Sequence, residues 1–141
     1  MHQQERLKVT KRRNKMEAIA KLNNCPMSPR KMRLVVDQIR GQRVEDALNV
    51  LKFSQKRVYA DKVEKLLKSA IANWQQVNDE RVDEETGLIV KSVMVDQGRS
   101  LKRIQPAPQG RAHRIRKRAN HVTLVVDTVS VVETEEAQSA E

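Results

Sequence analysis

Between Gln97 and Val126 the chain carries Arg99, Lys102, Arg103, Arg111, Arg114, Arg116, Lys117 and Arg118, and not a single acid. Guanidinium groups pair two oxygens of a phosphate at once, so arginines at this density suit a phosphate backbone. The bland reading of any charge run is a solvated face. Here the absence of compensating acids across the whole segment argues against it, because unpaired like charges repel. A second basic set, Arg30, Lys31, Arg33 and Arg40, sits on one helical face. Alone it reads equally as a solvent face, but its sign matches the larger cluster. Ser69 and Asn73 are four residues apart. Short polar side chains let another backbone come close, which fits a helix–helix contact and an RNA contact alike.

Other chemistry lacks its residues. His113 and His121 have no third ligand at metal spacing, His2 lies in a basic leader, and Cys25 has no Cys or His partner nearby, so no metal site is expected. Phosphate-cradling glycine loops, the nucleophile elbow and the His-Glu-x-x-His motif are all missing. A metal-dependent nuclease needs carboxylates inside its basic surface, and Gln97–Val126 offers none. The expectation is no enzyme and no cofactor.

Composition agrees. Lys and Arg total 28 against 18 acids in 141 residues, a net charge of +10. A field of this sign points to a polyanion, nucleic acid first and an anionic membrane second. No apolar run approaches the ~20 residues of a membrane span, and Met1 to Lys15 is polar and basic, unlike a secretory signal. One cysteine excludes an internal disulfide and suits a reducing, cytoplasmic setting. Only Phe53, Tyr59 and Trp74 are aromatic, which disfavours RNA-binding sheets that stack several bases on aromatic platforms.

The elements that must position these side chains can be read from periodicity. Residues 1–15 form a basic arm, and Met16 to Leu22 suits a short strand. Ser28 is a good N-cap with Pro29 behind it, and Met32, Val35, Val36 and Ile39 make one apolar stripe ending at Gly41. Val44, Ala47, Leu48 and Leu51 predict a second helix to about Phe53. Val63, Leu67, Ala70, Trp74 and Val77 predict a third, from about Ser54 to Val77. After an acidic loop, Asn78 to Gly87, the texture turns β: Leu88 to Val90 and Val93 to Val95 read as short strands broken by Lys91-Ser92. His121 to Val126 reads as another, with a possible extension from Val129 to Val132. The segment between them is too polar to bury and too long for a loop. Its simplest geometry is a hairpin over 93–122 that continues these strands outward, with its tip at Pro106–Gly110 and arms of roughly 30–35 Å at ~3.3 Å per residue. Gly98 and Gly110 are expected where a bend would exclude a Cβ. An acidic tail closes the chain over 127–141. The fold class is therefore α+β: one domain over 16–126, with three helices packed on a small antiparallel three-stranded sheet and one long extended hairpin.

These residues resemble a known family. Ser28-Pro29-Arg30-Lys31-Met32-Arg33-Leu34-Val35 with Ile39-Arg40-Gly41, Ala47-Leu48 with Leu51, and Ser69-Ala70-Ile71-Ala72-Asn73 are similar to the helical signatures of the universal large-subunit ribosomal protein twenty-two. The most specific match is the hairpin, with Val95-Asp96-x-Gly98, Leu101-Lys102-Arg103, Pro106-x-x-x-Gly110-Arg111-Ala112, Arg114-Ile115 and His121-Val122-Thr123. The resemblance implies a structural ribosomal protein whose body and hairpin bind large-subunit ribosomal RNA and aid subunit assembly. It implies a hairpin tip, here Gln105, Pro106, Ala107, Pro108, Gln109, Gly110 and Arg111, that lines the polypeptide exit tunnel. Its partners would be ribosomal RNA, neighbouring ribosomal proteins and the passing nascent chain, with no membrane and no homo-oligomer. In this chain Ala107 and Gln109 stand where the family often has bases, and Trp74 where it usually has a small residue. The rival reading is a DNA-architectural basic ribbon, whose Pro106 or Pro108 would serve as the wedge at its tip.

Overall fold

The computed structural model describes residues 16–82 and 87–128, so the basic arm at 1–15 and most of the acidic tail lie outside the described residues. Strand β1 (Ala18–Cys25) is followed by α1 (Pro29–Ile39), α2 (Val44–Lys52) and α3 (Arg57–Asn78). Then come β2 (Leu88–Gln97), β3 (Leu101–Pro106), a single 3-10 turn at Pro108–Gly110, β4 (Ala112–Lys117) and β5 (Asn120–Thr128). The expected α+β class, three helices and three-stranded sheet are all present.

The main sheet has the order β1-β5-β2, with β5 antiparallel to both neighbours. The last strand of the chain therefore lies in the middle. Its Val122, Leu124 and Val126 face the helices and are fully buried. The helical stripes arrive where the periodicity put them. Met32, Val35, Val36 and Ile39 of α1, Val44, Ala47 and Leu51 of α2, and Val63, Leu67, Ala70 and Trp74 of α3 are buried in one core. Trp74 is its largest fully buried side chain. Val77, the expected last member of the third stripe, is about half exposed. The end of α3 is instead tied down by Asn78, whose carbonyl oxygen accepts from the Met16 N–H at 2.9 Å and whose amide donates to the Met16 carbonyl at 3.1 Å. Ser28 occupies the N-cap position of α1, but its hydroxyl makes no capping hydrogen bond.

Three expectations are refined. The third helix starts at Arg57, with Phe53 to Lys56 forming the connection from α2. The two short strands around Lys91-Ser92 are one strand. In β2, Leu88 and Val90 are buried on one side of Lys91, and Val93 and Val95 on the other. The buried parity thus changes from even to odd. The cause is a β-bulge: Val90 pairs with Val126 and Ser92 with Val125, so Lys91 is the extra residue. Outside the helix-covered face, Lys91 donates to both Glu17 and Asp127, the latter at 3.0 Å, and joins the three strands' segments across the open side of the sheet. Finally, the hairpin does not simply prolong β2 and β5. β3 and β4 form a separate two-stranded sheet, set off by residues 98–100 and 118–119, which belong to no strand.

Candidate nucleic-acid interface

The arm begins at a narrow root. The Gly98 N–H donates to the Ala119 carbonyl at 2.9 Å. A Cβ on Gly98 would stand 3.0 Å from His121 Nε2 and 3.2 Å from the Ala119 carbonyl carbon, so this glycine is required by close approach. His121 is held from its other nitrogen, where Nδ1 accepts from the Asn24 N–H at 3.1 Å. Asn120, fully buried at the first position of β5, donates to the Met27 carbonyl at 2.9 Å. The root is thereby tied to the segment that leads into α1.

Beyond the root every residue of β3 and β4 is exposed. Residues directly opposite in an antiparallel pair share a face, and the register pairs Leu101 with Lys117, Arg103 with Ile115 and Gln105 with His113 on one face. Lys102 with Arg116, Ile104 with Arg114 and Pro106 with Ala112 share the other. Both faces carry cations and neither carries an acid. Lys102 lies straight across from Arg116, a like-charge pair that weakens the ribbon by itself. Ile104 is 74% exposed, so no core compensates. Of the arm's bases, Arg103 alone among the described residues makes a side-chain hydrogen bond, Nη1 to the Lys102 carbonyl at 2.9 Å. Arg99, Arg111, Arg114, Arg116, Lys117 and Arg118 are exposed as well.

At the tip, Ala107 N–H donates to the Arg111 carbonyl at 2.9 Å. Gln109 and Gly110 both adopt left-handed backbone, at φ 62° and 69°. This conformation suits Gly110 and is strained for Gln109. From Gln105 to Gly110 no side chain is charged, and Arg111 is the first base after the turn.

The bases of α1 divide by role. Arg33 donates from Nε and Nη2 to the Val95 carbonyl, at 3.3 and 3.0 Å, and Arg40 donates to the Val93 carbonyl at 3.1 Å while pairing with Asp37 at 3.0 Å. These two fasten α1 to β2. Arg30 and Lys31 are exposed and have no hydrogen bond or ion pair among the described residues. Asn73 donates to the Ile19 carbonyl at 3.0 Å and pins α3 to β1, whereas Ser69 is exposed. Arg30 and Lys31 also line a groove of about 770 Å³ with Lys56 and Arg57 from the start of α3. Neither Lys56 nor Arg57 belongs to a basic cluster in the sequence that would mark it as a site residue. No local signal joins them to α1, because the link is made by helix packing.

Cys25 is buried, and burial pushes its thiol up from the ordinary value against the opposing pull of Lys62. It serves as a small core residue. No group of three metal-ligating side chains occurs among the described residues, and no described helix is long and apolar enough to cross a membrane.

Fold and charge pattern together define a class: a small α+β body that carries a two-stranded cationic arm. Residues 20–127 match the family described as ribosomal protein L22p/L17e. The chain is 58% identical to the large ribosomal subunit protein uL22 of Flavobacterium johnsoniae over 130 residues, which covers 92% of this chain and 94% of that one. It is 65% identical to the protein of the same name from Parabacteroides distasonis over 111 residues, 79% of this chain and 80% of that one. The corresponding Bacteroides fragilis protein is 55% identical over 132 residues, 92% and 96% of the two chains. The chain belongs to the L22p/L17e family of ribosomal proteins, and the relatives are named for a place in the ribosome and for no reaction.

Proposed function

We propose that this chain is a structural constituent of the large ribosomal subunit that binds the subunit's RNA through its arm and body and aids assembly. One observation carries the reading. The ribbon places cations on both faces, sets Lys102 against Arg116, and buries nothing. A two-stranded ribbon without a hydrophobic face is marginal in water, and this one also repels itself. Phosphates on both sides turn that repulsion into attraction, so the arm suits a passage through folded RNA better than a berth on one surface. The residues in this reading are Arg99, Lys102, Arg103, Arg111, Arg114, Arg116, Lys117 and Arg118 on the arm, with Arg30, Lys31 and Ser69 on the body, where Arg33, Arg40 and Asn73 position the RNA-facing surface by holding strand carbonyls. The uncharged stretch Gln105–Gly110 is suited to face a space that contains no phosphate, which supports a tip in the wall of the polypeptide exit tunnel. Neighbouring ribosomal proteins and the passing nascent chain complete the partners.

The test is co-sedimentation of the tagged protein with large subunits across a salt gradient, followed by identification of the RNA crosslinked to it. Retention on the subunit with arm-to-RNA crosslinks is expected. Recovery of bulk DNA without ribosomal RNA would overturn the reading in favour of a DNA-architectural ribbon. Removal of Leu101–Arg103, which shortens β3 and draws the tip back, tests the tip's position separately: incorporation is expected to persist while the response to macrolides changes, and failure to incorporate would count against a tunnel-wall tip.

A further inference from the structure

The arm leaves one basic surface unexplained. The groove between the starts of α1 and α3 is lined by Arg30 and Lys31 on one side and Lys56 and Arg57 on the other, and no acid lines it. Its floor is apolar. Leu34 is 52% and Val58 65% exposed, and Tyr59 lies beside them, partly buried against the core. Exposed apolar side chains that adjoin one another inside a polar rim mark a contact surface.

We propose that this groove is a second RNA site, distinct from the arm, which takes an unstacked nucleotide with its base against Leu34, Val58 and Tyr59 and the flanking phosphates on Arg30, Lys31, Lys56 and Arg57. The proposal rests on the reading that the chain binds ribosomal RNA. Charge complementarity selects a polyanion, and the mixed aromatic and aliphatic floor suits a base. Single-stranded RNA is commonly held in this way, by stacking on a side chain within a cationic track. Neither helix carries an acid in its first turn, so nothing opposes phosphates there. The groove is tied to the arm's root through the chain. Ser28 at its edge follows Met27, whose carbonyl is held by Asn120 at the start of β5.

The experiment uses the full-length chain and an oligoadenylate twelve-mer. Ultraviolet crosslinking followed by trypsin and mass spectrometry should place adenine on the peptide Val58–Lys62, which contains Tyr59, the only tyrosine. Lys56→Ala with Arg57→Ala should lower the Tyr59 crosslink, read in that variant on the longer tryptic peptide Phe53–Lys62, about tenfold and reduce the salt dependence of binding by about 1.4 in slope, two single-strand phosphate contacts. Val58→Ser, at an exposed position, should lower the crosslink severalfold without changing the slope or the melting temperature. Alanines at Arg114, Arg116 and Lys117 should leave the Tyr59 crosslink intact while removing crosslinks on the arm. Absence of adenine from Val58–Lys62 with the arm still crosslinked would overturn the groove alone. Loss of neither set on arm substitution would count against the arm and leave the groove standing. Stronger competition at the groove by polyglutamate than by oligoadenylate would overturn the RNA assignment in favour of an acidic protein segment.

Discussion

Arg30 and Arg33 stand one turn apart on α1 and are used differently. The Arg33 guanidinium makes two hydrogen bonds to Val95, whereas Arg30 faces the open groove. Arg33→Ala is expected to lower stability by about 1–2 kcal/mol, since a charged donor is lost to a strand carbonyl. Arg30→Ala should stay within ~0.5 kcal/mol of the parent and weaken RNA binding instead. Urea unfolding of the free proteins, beside their binding at two salt concentrations, separates the two. The two arm glycines divide in the same way. Gly98→Ala drives a methyl against the Ala119 backbone and the His121 ring, and should cost about 1–3 kcal/mol as an overpacked site. Gly110→Ala meets open space but inherits a φ of 69°, a strain of roughly 1–2 kcal/mol. The strain is confined to an exposed tip, so the melting temperature of the body should not move. Equal shifts for the two variants would show that root and tip are coupled.

At the scale of elements, the bulge in β2 governs the core. Because side chains alternate along a strand, Leu88 and Val90 can share a buried face with Val93 and Val95 only if one residue is spliced out of the pairing. Deletion of Lys91 should therefore prevent folding or force a register slip, visible as lost cooperativity in thermal unfolding. Lys91→Ala keeps the backbone count and should still fold. The side chain has a separate effect. Its hydrogen bonds to Glu17 and then Asp127 push the Lys91 ammonium up to about 12. A cation raised in the folded state contributes stability that is complete below its unfolded value of about 10.4 and is lost as the pH climbs through about 12. Thermal melts between pH 9 and 12 should show a steeper decline for the parent than for Lys91→Met. Identical curves would remove the ion cluster as a stabilising feature.

For the whole molecule, the arm and the body should differ in autonomy. The body has one core, from Ala18 to Val126, while β3 and β4 bury nothing. Local stability follows buried contacts. Limited trypsin treatment of the free protein should therefore cut first between Arg99 and Arg118 and leave the body intact, and large-subunit RNA should suppress those cuts. Protection of the arm without RNA would contradict ordering by a partner.

Much of this was legible in the chain because the signals are local. Each helical stripe is written within a few turns, and the acid-free run from Gln97 to Val126 with its Pro-Gly cluster marks a basic arm wherever the rest of the chain goes. The family resemblance rests on the same contiguous motifs. Tertiary structure alone decided what depends on contacts through space. It set β5 between β1 and β2, and it turned the apparent break at Lys91-Ser92 into a bulge. It assigned Arg33, Arg40 and Asn73 to carbonyls on other elements. It also brought Arg30 and Lys31 beside Lys56 and Arg57. A basic side chain looks the same in sequence whether it meets a strand carbonyl or open solvent. Only packing, which fixes what stands within 3–4 Å of its charged end, separates the bases that hold the fold from those left for a partner.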